Sequence, residues 1–165
     1  MLTTSISTCA SLGGTYVLDT SCMDWVPAGP GLSFKPLRFF PGNAGWAQLL
    51  RLEPGTVIPR HRHTGEVHAY NLSGHRLLIE SNTRVGPGTY VHEAAGDVDS
   101  WEAVGDEPCL LYVEVHGTVE YLQPDGAVAV AVDGNLQRKL YEDWCAANGP
   151  KPEPLAGPQS DVAAT

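Results

Sequence analysis

Three of the six histidines fall within eight residues of the stretch Arg60-His61-Arg62-His63-Thr64-Gly65-Glu66-Val67-His68. Residues two apart project to the same face of an extended chain, so His61 and His63 can converge on one point. Imidazole is a common ligand of Zn, Fe, Cu and Ni, which makes the pair a candidate metal site. The alternative is an exposed basic patch, because Arg60 and Arg62 alternate with the histidines.

On both sides of this stretch, short apolar runs alternate with turn signals and indicate β-strands. Glycine (18 residues) and proline (13 residues) make up almost a fifth of the 165 residues, a proportion typical of many turns. Spacings of roughly 8–12 residues, without helical patterns between the runs, predict an antiparallel sandwich or barrel. A hairpin follows from Gly117 to 132. The earlier runs are Trp46–Leu52, Val67–Leu72, Arg76–Glu80, Thr89–Glu93, Asp99–Val104 and Cys109–Val115.

One helix is predicted over residues 135–147, near the end of the sequence. Apolar residues recur there at i, i+4 and i+8, which is the spacing of one helix face. Asp133 or Asn135 would cap its first turn, and residues 148–150 would end it. The periodic residues are Leu136, Leu140 and Trp144.

The two ends of the chain differ in composition from the middle. Residues 1–33 mix small polar residues with scattered apolar anchors and predict an arm that docks on the barrel. The barrel and its helix are expected over residues 34–149. Residues 150–165 hold prolines and small polar residues, which predict a disordered tail whose removal leaves the melting temperature unchanged.

The charge balance narrows the class of partners. Ten Lys and Arg against nineteen Asp and Glu give a net charge of −9, and a negative field repels a phosphate backbone, so nucleic-acid binding is not expected. The longest apolar run, residues 127–132, is far below the roughly 18 residues of a membrane-spanning helix. Residues 1–14 do not resemble a secretory signal, and the four cysteines form no CxxC pair. We therefore expect a cytoplasmic protein with reduced cysteines.

Two motifs in the sequence resemble those of the cupins. Gly55-x5-His61-x-His63, followed by Gly74, resembles the first cupin motif, and residues 87–99 resemble the second. The resemblance implies a cupin fold, the double-stranded β-helix or jelly-roll barrel, with one C-terminal helix. Finer matches are similar to the small single-domain cupins of the 2,4'-dihydroxyacetophenone dioxygenase, ChrR-like and acetylacetone dioxygenase branch. Those matches are residues 36–41, 49–55 and 60–65.

Both motifs depart from the cupin pattern at a metal ligand. The first usually carries a Glu four or five residues after its second histidine, where this chain has Val67 and His68. The second usually supplies a third histidine, where this chain has Asp99. Asp in that position gives a 2-His-1-carboxylate set, which suits Fe(II). The resemblance thus implies a divalent metal at His61, His63 and Asp99, with Fe(II) preferred over Zn, Mn or Ni; a cupin without metal is the alternative.

Glu80 and His68 are the candidates for proton transfer. The resemblance places a carboxylate near the metal at about Glu80, and an interior Glu would have a raised pKa and act as a base or fourth ligand. The alternative for Glu80 is a solvated charge at a strand end. His68 is either a pocket residue and second candidate base or an exposed strand residue. His92 and His116 are expected to be packing or surface residues.

The cupin resemblance implies an enzyme, a metal-dependent oxygenase that cleaves a C–C bond of a small aromatic hydroxyketone or diketone-like substrate. Two other classes remain open. One is a non-redox lyase, isomerase or cyclase, with or without a metal, and the other is a cupin that binds a small ligand without catalysis. We expect a homodimer or homotetramer with a small-molecule substrate and no nucleic-acid or membrane partner.

Overall fold

The computed structural model describes residues 9–12, 15–149 and 155 of the chain. These residues form fourteen strands and one α-helix. The strands are β1 (Cys9–Leu12), β2 (Thr15–Leu18), β3 (Val26–Gly29), β4 (Leu32–Phe39), β5 (Gly45–Leu52), β6 (Val57–His63), β7 (Val67–Ser73), β8 (His75–Leu78), β9 (Thr83–Val85), β10 (Tyr90–Glu93), β11 (Val98–Val104), β12 (Cys109–His116), β13 (Val119–Leu122) and β14 (Val128–Val132). The helix is α1 (Gly134–Asn148).

Twelve of these strands build two six-stranded antiparallel sheets that pack against each other. The strand order is β10-β7-β12-β5-β4-β3 in one sheet and β14-β13-β6-β11-β8-β9 in the other, while β1 and β2 pair separately. Buried side chains of both sheets share two apolar clusters, so that Val67 and Val119 pack in one cluster and Leu52 and Trp101 in the other. The predicted all-β barrel with one C-terminal helix is confirmed.

The apolar runs of the sequence correspond to strands because their side chains alternate between barrel interior and exterior. In β12 the buried residues are Cys109, Leu111, Val113 and Val115, with half-buried residues between them. This period of two is the period of an extended chain. Six strands were not among the predicted runs: β1, β2, β3, β4, β6 and β9. Of these, β6 carries Pro59 and four basic or imidazole side chains in place of a continuous apolar stretch.

A β-bulge in β6 aims its side chains into the barrel. Between the paired positions Ile58–Trp101 and His61–Asp99, β6 has one residue more than β11. An extra residue reverses the inside–outside alternation of a strand. Ile58, His61 and His63 are therefore all buried, although Ile58 and His61 are three positions apart and would face opposite sides of a regular strand.

The helix α1 packs against the barrel after a capped start. The Asp133 carboxylate accepts a hydrogen bond from the Leu136 backbone N–H at 2.8 Å, and the helix ends at Gly149, whose φ of 96° is left-handed. Asp133 is therefore the cap. Leu136 and Leu140 are more than one-third exposed, because the buried face lies one residue further along and consists of Gln137, Tyr141 and Cys145.

The structure describes only parts of the predicted arm and tail. Strand β3 pairs with β4 and so extends one sheet of the barrel, while the boundary at residue 34 stays a prediction. The predicted disordered tail lies outside the described residues except for Leu155. Its side chain is 2% exposed, and its carbonyl accepts a hydrogen bond from the Phe39 N–H at 2.9 Å. Leu155 thus packs in the core, and the disorder expected of residues 150–165 stays a prediction.

No helix in the described part of the chain is long and apolar enough to cross a membrane.

Candidate metal centre

Four potential metal ligands converge inside the barrel: His61, His63, Glu93 and Asp99. Each offers one ligand atom, and the four atoms lie within 4.8 Å of one another. His61 Nε2 is 2.9 Å from Asp99 Oδ1, and His63 Nε2 is 2.8 Å from Glu93 Oε2. The two Nε2 atoms are 3.0 Å apart. The structure brings the three predicted ligands together and adds Glu93, which was not among the predicted ligands.

Strand pairing holds the two histidines in place from both sides. His61 is the Cα partner of Asp99 on β11 and of Tyr121 on β13. His63 is the partner of Val119 on β13. Both histidines are less than 5% exposed, so their rings sit in a fixed, mostly dry environment.

Glu93 reaches the cluster from a different sheet. It lies at the end of β10, where it is the Cα partner of Val67 on β7. Val67 occupies one of the two positions at which the first cupin motif usually carries its glutamate, so the neighbouring strand supplies the carboxylate here. The available sequence signal was the six-residue step from Glu93 to Asp99 across a turn. That step does not reveal which strand pairs with β10.

The orientation of His61 fits a metal ligand. Its Nδ1 lies 2.9 Å from the Pro59 carbonyl oxygen, and because a carbonyl only accepts, Nδ1 carries the proton. The Nε2 lone pair then points toward the cluster, as it does in metal-bound histidines whose other nitrogen donates to an acceptor. Two imidazole nitrogens and two carboxylates this close repel one another unless a proton or a cation lies among them. The donor set therefore fits a divalent cation.

Asp99 and His61 shift each other's protonation. Burial acts to lower the pKa of His61, but contact with the Asp99 carboxylate outweighs it and raises that pKa. Burial acts to raise the pKa of Asp99, and the proximity of His61 holds it below its usual range. The pair thus favours a positive charge between its partners. A bound divalent ion would supply that charge in place of the imidazolium proton.

Arg76 places a buried positive charge beside the cluster. Its side chain is 2% exposed, with Nη1 4.0 Å from Glu93 Oε1 and the guanidinium 4.9 Å from the centre of the Trp101 ring. Burial lowers the pKa of Arg76, while the charge of Glu93 acts to raise it. Its Nε and Nη2 have no hydrogen-bond partner among the described residues. One guanidinium beside two carboxylates leaves an excess of negative charge, which again favours a divalent cation.

A cavity of about 550 Å³ opens beside the cluster and is large enough for a small molecule. His61, His63, Arg76 and Glu93 line its polar end. Most of the remaining wall is apolar and comes from both sheets, including Trp46, Leu50, Ile58, Ala69, Leu111 and Val113. A ligand with an apolar body and a polar head at the cluster matches this distribution.

The helix contributes a second polar feature to the cavity wall. Gln137 Nε2 donates a hydrogen bond of 2.7 Å to Gln48 Oε1, and both side chains are buried. Nearby on β5, the buried Trp46 Nε1 has no hydrogen-bond partner among the described residues. These groups can bind a polar atom of a ligand at a distance from the histidine–carboxylate cluster.

Glu80 lies outside this cavity. Strand β8 ends at Leu78, and the Glu80 carboxylate accepts hydrogen bonds of 2.8 Å from the Ser100 backbone N–H and from its hydroxyl. Partial burial acts to raise the pKa of Glu80, but the bonds from Ser100 outweigh it and the pKa is lowered. Of the two interpretations of Glu80, the structure agrees with the solvated charge at a strand end, because the chain turns at residues 79–82 before Glu80 can enter the barrel.

His68 lies on the outer face of β7, away from the cavity lining. Its Nδ1 is 2.6 Å from the Tyr90 hydroxyl, and its side chain is 34% exposed. His68 was interpreted either as a pocket residue or as an exposed strand residue, and its position in the structure agrees with the second interpretation. The role of base suggested for Glu80 and His68 stays a prediction, although neither residue lies at the donor cluster.

A barrel of two facing antiparallel sheets that encloses a histidine–carboxylate cluster is the architecture of a cupin. The family model described as ChrR cupin-like domain matches residues 14–120, and the chain belongs to that family. Among proteins with curated descriptions, none matches the sequence.

Solved structures show the same fold. An RmlC-like cupin protein from Ralstonia eutropha JMP134 is 24% identical, with a TM-score of 0.79 over 85% of this chain and 92% of that one. An acetylacetone dioxygenase from Acinetobacter johnsonii is 16% identical, with a TM-score of 0.65 over 74% and 85%. The polyketide cyclase RemF from Streptomyces resistomycificus is 20% identical, with a TM-score of 0.52 over 66% and 87%. At these identities the comparison concerns the fold alone.

Proposed function

We propose that this cupin is an Fe(II)-dependent oxygenase that cleaves a C–C bond of a small aromatic hydroxyketone or diketone-like substrate. The observation that carries the proposal is the cluster of His61, His63, Glu93 and Asp99 at the polar end of an otherwise apolar cavity. Two imidazoles with carboxylates form a donor set that suits Fe(II) and leaves coordination positions open. A bound Fe(II) would supply Lewis acidity and the redox chemistry that oxygen requires.

The residues around the cluster account for substrate binding in this proposal. The apolar wall holds the body of the ketone and excludes water, which strengthens every charge interaction inside the cavity. Gln48 and Trp46 can bind a second oxygen of the substrate away from the cluster. An aromatic or alkyl ketone with two oxygens matches both polar regions.

Glu93 is the group to which we assign the substrate proton. Hydroxyketones and diketones carry an acidic C–H or O–H whose proton must leave before the enolate forms. Glu93 is the carboxylate of the cluster that lines the cavity. Arg76 Nη1 lies 4.0 Å from Glu93 Oε1 and places a buried positive charge beside this carboxylate.

The test is turnover of aromatic hydroxyketones and β-diketones by metal-free protein reconstituted with Fe(II), under air and under argon. An aromatic hydroxyketone and oxygen should give two carboxylic acids, and a β-diketone a carboxylic acid and a 2-oxoaldehyde, with equimolar oxygen uptake. His61→Asn should abolish turnover. His75→Asn, a change of the same kind on β8 of the same sheet and outside the cavity lining, should keep it.

Two results would contradict the oxygenase. Turnover that survives both chelator and argon would favour a non-redox lyase, isomerase or cyclase in the same cavity. Binding of these ketones without turnover, in iron-loaded protein under air, would favour a ligand-binding cupin.

A further inference from the structure

Five of the six histidines belong to two groups, one inside the barrel on β6 and one on the outer surface of the facing sheet. His61 and His63 face the cavity, whereas His68, His92 and His116 lie on the outer face of strands β7, β10 and β12. The outer rings are close together, with centroids 5.3 Å apart for His68 and His92 and 5.9 Å apart for His68 and His116. The interior centre and the catalytic proposal use none of the three.

Strand pairing fixes the two closest of these histidines side by side. His68 and His92 are Cα partners across the β7–β10 ladder, so their side chains leave the sheet in the same direction. Glu66, two residues before His68, places its carboxylate between them. Its Oε2 is 3.2 Å from His92 Nε2, and its Oε1 is 3.6 Å from His68 Nε2.

The two carboxylate–imidazole separations are close to the edge of a tetrahedral metal site. Ligands at about 2.0–2.1 Å from a tetrahedral ion are about 3.3 Å from one another. One ligand atom from each of Glu66, His68 and His92 lies within 4.8 Å of the other two. The Tyr90 hydroxyl, 2.6 Å from His68 Nδ1, holds that ring with Nε2 toward Glu66. No large movement of the backbone or of the rings is needed to surround an ion.

We propose that Glu66, His68 and His92 bind Zn²⁺ at a second site, on the outer surface of the β7–β10 ladder. Two imidazoles and a carboxylate are a common three-residue donor set for Zn²⁺, with water as the fourth ligand. The net charge of −9 attracts a cation to the protein. His116 is not part of the set, because its Nε2 is engaged with Glu114 Oε1 at 2.9 Å.

Zinc at this position would cross-link an edge strand that also serves the interior centre. Strand β10 is four residues long, lies at the edge of its sheet and pairs only with β7 among the described strands. His92 at the outer site directly precedes Glu93 at the inner one. A metal bridge between His92 and His68 would hold β10 against β7, and with it the position of Glu93.

Titration of metal-free protein with ZnCl₂, followed with a competing chromophoric chelator, tests the outer site. We expect two classes of sites in the wild type. His92→Asn and Glu66→Gln should each weaken one class by roughly tenfold or more and leave the other unchanged. The double variant His61→Asn/His63→Asn should lose the opposite class and keep the outer one.

His116→Asn is the matched control, because it removes a histidine from the same face without touching the proposed ligands. It should bind zinc as the wild type does. The proposal is overturned if His92→Asn and Glu66→Gln titrate like His116→Asn, whatever becomes of the interior site. Glu66 and His92 are exposed, so these variants should fold normally, which circular dichroism would verify.

Discussion

Glu93 and Val67 are Cα partners across the β7–β10 ladder, and Glu93 Oε2 lies 2.8 Å from His63 Nε2. The carboxylate that the first cupin motif usually places after its histidines thus comes from the adjacent strand. We expect Glu93→Ala to lower the metal affinity, because one of four donors is lost. Adding Val67→Glu to that variant should restore a large part of the affinity, since the new carboxylate starts from the partnered position. Metal content after dialysis against a weak chelator measures both effects.

Glu80→Gln is the control for this exchange. Glu80 is a carboxylate on the surface, bound to Ser100 and outside the cavity lining, so its loss should leave the metal content unchanged. If the double variant Glu93→Ala/Val67→Glu retains as little metal as Glu93→Ala alone, a carboxylate at position 67 cannot replace the one at position 93.

Arg76→Met should affect the metal-free protein more than the metal-loaded one. Removing a buried partner leaves the carboxylates of Glu93 and Asp99 without compensation, and we expect the unfolding free energy of the metal-free protein to fall by about 3 kcal/mol. A bound divalent cation neutralises the same carboxylates. Metal should therefore raise the melting temperature by more in Arg76→Met than in the wild type. Equal shifts in the two proteins would show that Arg76 does not balance the cluster.

Leu155→Ala tests whether the chain beyond the helix contributes to the core. The side chain is 2% exposed and packs with Phe39, Tyr141 and Cys145. Truncation of a buried leucine to alanine costs about 2–5 kcal/mol, and we expect a loss in this range in urea unfolding. Leu136→Ala, at an exposed leucine of α1, should cost far less. If the two variants unfold alike, Leu155 is not a core residue, and the sequence-based expectation of a dispensable tail holds.

The cap of α1 gives a pH-dependent prediction. Hydrogen bonds from the Leu136 N–H and from Asn43 lower the pKa of Asp133. A carboxyl whose pKa is lower in the folded state contributes its full stabilisation to the folded protein above its unfolded-state pKa of about 3.9. This contribution to the free energy of unfolding is lost as the pH falls through the folded-state pKa.

Asp133→Ala should lower the unfolding free energy by about 1 kcal/mol at neutral pH. Asp133→Asn keeps the cap without the titration. The stability difference between wild type and Asp133→Asn should therefore be constant above about pH 5 and change in favour of the asparagine variant below about pH 4. If the stability difference between wild type and Asp133→Asn does not change with pH down to about pH 3, the negative charge of Asp133 does not contribute to the cap.

The sequence predicted the fold because its information is local. Apolar runs, turn residues and the capping aspartate act over a few residues, and the strands and the helix form where these signals stand. The face shared by His61 and His63 follows from the period of a strand in the same way. Asp99 was predicted as their partner from the resemblance of the second motif.

The features that could not be predicted from the sequence depend on which strands pair with each other and on where the chain leaves a sheet. Glu93 joins the cluster through the register of β10 on β7, which no local pattern specifies. The cupin resemblance places a carboxylate near the metal at about Glu80, with a solvated strand end as the alternative, but the chain leaves the sheet after Leu78, and Asn82 takes a left-handed φ of 50° in the turn. Leu155 is an isolated apolar residue among prolines, and its burial depends on the surface that α1 and β4 leave open.

We propose that His61, His63, Glu93 and Asp99 bind one divalent ion, and the decisive experiment is an anomalous difference map at the iron absorption edge. The crystal should be of tag-free protein reconstituted anaerobically with Fe(II). We expect a peak at about 2.0–2.2 Å from the two Nε2 atoms and from oxygens of the carboxylates, the usual range for such ligands. A map without a peak at these residues, in which the histidines remain paired directly with Asp99 and Glu93, would contradict it.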